Sequence, residues 1–202
     1  MTHELTGKIS GAIVLLSGML YVVQVLRKRS HPNFTSWSIW AVLGFAIWIN
    51  YKTSGATDNV WPAFFGMINP IVIAIIALLN GTRDKLTLSD KFCLGFGLLS
   101  IVIWWFLERR GASAALYVAI LADLCAAYPT FRLFQREPWQ DRPMMWILFA
   151  FGYGLAIFAI PDNDQSITNY ILPVYMLTMS GILSWLLVRY RWKERQPFSE
   201  WY

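Results

Sequence analysis

Polar side chains stranded inside long apolar runs are the residues of this chain that can do chemistry. Asp123 stands at the midpoint of the run Ala112 to Phe134, the only carboxylate placed deep in such a run, with no Lys or Arg at the same depth. Gln24, Asn50, Asn69, Asn169, Tyr175 and Thr178 are similarly placed in other runs. In hydrocarbon each must find a partner, so each is either a structural hydrogen bond or a group that meets a substrate or an ion. Asp123 is expected to face the interior, protonated or linked to water. A catalytic set is missing: there is no Gly-rich phosphate loop, no pair of deep carboxylates, and neither His3 nor His31 is placed to activate a serine. The chain therefore does not read as an enzyme. The two isolated histidines, without clustered Cys or carboxylates, also argue against a metal, and no cofactor is implied.

The elements that carry these residues are seven apolar segments: Ile9 to Leu26, Ser36 to Tyr51, Val60 to Leu79, Leu88 to Leu107, Ala112 to Phe134, Met144 to Ile160 and Ile167 to Val188. A helix needs about 17 to 25 apolar residues to cross the bilayer core. With 56% hydrophobic and 14% charged residues in 202, no loop can house a soluble domain, so residues 1–202 are expected to form one membrane domain. The first segment lacks a small-residue cleavage site and is expected to remain as a helix.

Charge sets the orientation. With the N-terminus outside, thirteen of the seventeen Lys and Arg fall on cytoplasmic loops, and only Lys8, Lys52, Arg109 and Arg110 lie opposite. The net charge of +5 sits on those cytoplasmic loops, including Arg83 and Lys85, where anionic lipid accounts for it; nucleic acid is not an expected partner. Trp61, Trp139, Trp192, Trp201 and Tyr202 fall near the interfaces as anchors. Cys93 and Cys125, in apolar helices, read as small hydrophobes rather than a disulfide.

A weak internal repeat organises the segments. A shift of 106 positions superposes Pro32 on Pro138, Trp40 on Trp146 and Phe45 on Phe151; with a three-residue deletion, Ile68 falls on Ile171 and Pro70 on Pro173. Segments one to three (9–79) thus match five to seven (112–188), leaving segment four (88–107) as a linker and 189–202 as a tail. Three crossings invert a unit, and one extra crossing restores its direction. The expected architecture is all-α, two parallel three-helix repeats about an axis normal to the membrane.

This pattern resembles the PQ-loop repeat superfamily, which includes the SWEET sugar carriers. Here each repeat keeps half of the Pro-Gln dipeptide, Gln24 in Val23-Gln24-Val25 and Pro129 in Pro129-Thr130-Phe131. The resemblance implies a carrier of a small polar or aromatic metabolite in a bacterial-type inner membrane, with its substrate near the midplane. It also implies hydrogen bonding by the third helix of a repeat, where Asn69 lies. A second resemblance, to nicotinamide riboside type vitamin carriers, rests on Trp37-Ser38-Ile39-Trp40, which is similar to their Trp-x-x-Trp signature. Two Trp so spaced share one helix face, as packing or as a platform for an aromatic ligand. Pro70, Pro129 and Pro173 remove a helical hydrogen bond each and free the carbonyls of Gly66, Cys125 and Asn169, as static kinks or as hinges for alternating access. The competing expectation is a receptor or a subunit of a larger membrane complex. Homo-oligomerisation is left open.

Overall fold

The computed structural model describes residues 2–80, 87–164 and 166–202, and every regular element among them is helical. Arg83 and Lys85, and the Arg109 side chain, lie outside the described residues. The helices are α1 (His3–Leu26), α2 (Phe34–Thr53), α3 (Trp61–Leu79), α4 (Leu88–Arg136), α5 (Pro143–Ile157) and α6 (Ile167–Lys193). Local sequence sets their ends. Thr2 and Asn33 cap α1 and α2 through their side-chain oxygens, Thr87 and Asp90 form a reciprocal capping box on α4, and Pro62 and Pro143 sit where a missing N–H costs nothing. Lys28, Gly55 and Arg195 take positive φ just past α1, α2 and α6 and reverse the chain there.

The segment expected as Met144 to Ile160 is helical only over Pro143–Ile157, 15 residues, and the larger departure from the expected segmentation is α4. Segments four and five were expected as separate helices; the backbone instead stays helical for 49 residues. At 1.5 Å per residue a straight helix of that length would span about 74 Å. It cannot be straight, because Trp104 donates to Thr53 at the end of α2 (3.0 Å), whereas Cys93 and Ala122 join one cluster with Ile39 and Leu43 near its start. The first part of α4 runs up α2 and the second runs back down it, with Leu116 and Ala119 packed near Ala46 and Tyr51. The fold-back lies at Leu107 to Gly111. A Cβ on Gly111 would lie 2.5 Å from that of Leu107, where a regular helix keeps such atoms about 5–6 Å apart.

Packing closes a ring. α3 lies between α1 and α2; α6 packs on α5 and, less extensively, on α4; α1 meets α5, and α2 meets α4. The first part of α4 lies outside this ring and exposes Phe92, Phe96, Trp105 and Phe106. Successive passes alternate in direction, so the loops 27–33 and 137–142 and the C-terminal tail gather at one end. Ser30 donates to Asp141 (2.9 Å), Arg29 to the Tyr202 carbonyl (2.9 Å), and buried Arg191 to the Asp141 and Glu200 carbonyls (2.6 and 2.9 Å). This is the basic end. At the opposite end Gly7 of α1 packs so tightly on the Asp58 carbonyl that no side chain fits between them.

Candidate functional site

All six ring helices line a central cavity, which leaves about 740 Å³ free of protein atoms, its mouth included. Its wall is mainly aromatic and thioether: Trp37 and Trp40 from α2, Trp146 and Phe149 from α5, and Met176 and Met179 from α6. Four polar side chains enter it: Ser17, Asn69, Asp123 and Ser180.

Each of these four is held in a definite way. The Val14 carbonyl accepts from the Ser17 hydroxyl (2.6 Å) and from the Asn69 amide nitrogen (2.7 Å), which fixes α3 against α1. Asn69 fits only because residue 18 is glycine, since a Cβ there would fall 2.2 Å from its amide. Ser180 donates to the Met176 carbonyl one turn earlier. Asp123 accepts from the Tyr175 hydroxyl (2.7 Å), linking the second part of α4 to α6. Pro70 and Gly66 also line the wall, and Pro70 deprives the Gly66 carbonyl of its helical donor.

Of the residues singled out from sequence, the fold brings Trp37, Trp40, Asn69, Asp123 and Pro70 to the cavity, with Tyr175 behind Asp123. The others lie elsewhere. Asn50 is fully buried and donates to the Ala46 carbonyl (2.7 Å) within its own helix. Gln24 is buried outside the cavity wall, with neither amide atom bonded among the described residues. Thr178 points outward and bonds its own helix at Val174 (2.8 Å), and Pro129 is exposed. Asn169 and Pro173 belong to the end opposite the basic one. Depth in an apolar run decides only that a polar group needs a partner; which helix face it occupies is set by packing. The residues not singled out for the site are Ser17, Trp146, Phe149, Ser180 and the methionines. The 106-residue correspondence already paired Trp146 with Trp40; extended to Ser17, which it sets against Asp123, it is a signal by which that residue could have been found.

Contacts between residues 9–79 and 112–188 lie at both ends of the cavity. Toward the basic end, Trp37, Trp40 and Trp146 line both the central cavity and a smaller one bounded by Asn33, Ser36, Gln140 and Asp141. These rings form the partition. Trp37 and Trp40 meet edge to face at 5.0 Å between centroids, and Phe134 backs Trp146 at 5.7 Å. Below them Asp141 joins the two basic-end loops, and burial pushes its carboxyl up to about 6, against the opposing pull of the Arg142 backbone N–H and the Ser30 hydroxyl. At the other end the Asn169 carbonyl, freed by Pro173, accepts from the Tyr51 hydroxyl (2.7 Å), and Asn59 donates to that same hydroxyl oxygen. Tyr153 donates to the Pro62 carbonyl (3.2 Å) beside it.

Among the described residues no group of three metal-ligating side chains converges. Five helical stretches among the described residues are long and apolar enough to cross a membrane, which makes the class a helical integral membrane protein. Comparison with known proteins finds no match, whether to a family model, a curated protein or a solved structure.

Proposed function

We propose that this protein is a membrane carrier that binds a small metabolite in the central cavity and exposes it to either side by rocking one half of the ring against the other. In this reading there are seven crossings, with the two passes of α4 counted separately. Residues 9–79 and 112–188 are the two parallel repeats, as in the SWEET-like arrangement that the sequence resembles. The exchange of partners supports it: α1 packs on α5 and α2 on the second part of α4, which is what the repeat correspondence requires. The basic end then faces the cytoplasm and the N-terminus lies outside.

The observation that carries the proposal is the pairing of one central cavity, lined by all six ring helices, with a separate set of contacts across the halves at each end. A receptor needs a pocket open to one side; a carrier needs two closures that open in turn. The test uses Ser180→Cys in a background lacking Cys93 and Cys125. A charged, membrane-impermeant methanethiosulfonate is applied to either face of oriented vesicles. A carrier gives labelling from both faces, and labelling confined to one face would refute alternating access.

A further inference from the structure

The polar groups of the cavity are unequal in what they offer a ligand. The donors of Ser17 and Ser180 are spent on the carbonyls of Val14 and Met176, and one of the two Asn69 amide hydrogens is tied to Val14. What remains are two uncharged donors, the second Asn69 N–H and the Trp146 indole N–H, and as acceptors the Asp123 carboxyl oxygen not bonded to Tyr175 and the Gly66 carbonyl that Pro70 leaves without its helical donor; Asp123 is the one ionisable acid or base among them. Among the described residues no Lys, Arg or His lines this cavity.

The apolar wall matches this bias. Trp37, Trp40, Trp146 and Phe149 present aromatic surface, and an aromatic ring attracts a cation over its face through its quadrupole. Met176 and Met179 add polarizable thioethers that adapt to a ligand body. An anion would meet the Asp123 carboxyl and unpaired carbonyls in an apolar enclosure. A polyhydroxylated neutral molecule would find only the Asn69 and Trp146 N–H groups as donors for its many acceptors.

From this we infer that the central cavity takes an organic monocation: an ammonium group held at Asp123 and the Gly66 carbonyl, with a compact aromatic or aliphatic body packed on the tryptophans and methionines. The inference rests on the cavity being the ligand site of the proposed carrier, and it narrows the substrate to a charge class.

Three probes of matched size test it on the full chain in detergent: benzylammonium, benzyl alcohol and benzoate, read by tryptophan fluorescence and thermal shift. The expected order is benzylammonium tighter than benzyl alcohol by about tenfold or more, with benzoate not binding. Asp123→Asn, folded by its melting curve, should erase the preference for the cation while leaving benzyl alcohol binding in place. Equal or reversed preference in the unsubstituted protein overturns the inference without need of the variant, as does a folded Asp123→Asn that keeps the preference. A cation that binds but is not carried across proteoliposomes would instead overturn the carrier reading and leave the charge class standing.

Discussion

Trp40 and Trp146 meet edge to face with their ring centroids 6.2 Å apart. They occupy corresponding positions under the 106-residue shift. In two units related by a twofold axis, a residue that touches its own counterpart lies on that axis. The pair is thus the natural place for a partition that opens when the halves rotate.

Replacing either ring by Leu keeps apolar volume but removes the aromatic pairing. A double-mutant cycle of Trp40→Leu and Trp146→Leu is expected to give a coupling of about 0.5–1.5 kcal/mol in unfolding experiments. Labelling of Ser180→Cys from the basic end should quicken in both single variants. Additive stabilities and unchanged labelling would show that the rings do not act as one partition.

Tyr51→Phe removes the hydroxyl that donates to Asn169 and accepts from Asn59. The buried Asn169 carbonyl cannot recover its helical donor, because residue 173 is proline, and keeps only the long bond from the Asn59 amide (3.4 Å). Stability should fall by about 1–3 kcal/mol, and labelling from the end opposite the basic one should rise. A variant as stable as the parent would mean that water replaces the bond.

Asp141 has a carboxyl raised from 3.8 to about 6 by burial. A carboxyl raised on folding contributes stability that is fully present below its unfolded value and lost as pH rises through its folded value. Melting curves should therefore show a loss of about 3 kcal/mol between roughly pH 4 and pH 6 from this group. Asp141→Asn keeps acceptors for Ser30 and the Arg142 N–H and should flatten that part of the profile. A slope that survives the substitution would assign it to another group.

Gly111→Ala places a Cβ against that of Leu107 at the fold-back of α4. The two passes of α4 along α2 depend on this turn, so a cost of about 1–3 kcal/mol is expected. Gly95→Ala, whose Cβ would meet nothing within 4 Å, is the control and should be neutral or slightly stabilising. Equal effects at both sites would argue against a sharp turn at Leu107 to Gly111.

Reporter fusions at Arg195 should be active only as cytoplasmic reporters, and fusions at 162–164 only as external ones. An external C-terminus would overturn the proposed orientation and leave the ring of helices as it is.

Composition and hydropathy alone made the all-helical character and the placement of the helices legible, because the cost of exposing backbone polar groups to hydrocarbon leaves few alternatives and is written into every apolar run. The 106-residue shift further pairs Trp40 with Trp146, two residues whose rings meet in the structure. The faces were not legible. Asn50, Gln24 and Thr178 have the same local signature as Asn69 and Asp123, yet lie outside the cavity wall, because a helix of mixed apolar residues has no polar side to mark its orientation. Nor did local sequence reveal that Asp141, in a loop between basic residues, would be buried under a second loop from over 100 residues away. Those choices belong to the packing of α1 on α5 and of α2 on α4, and only long-range contact, where Gly18 admits Asn69 and Pro173 frees a carbonyl for Tyr51, decides them.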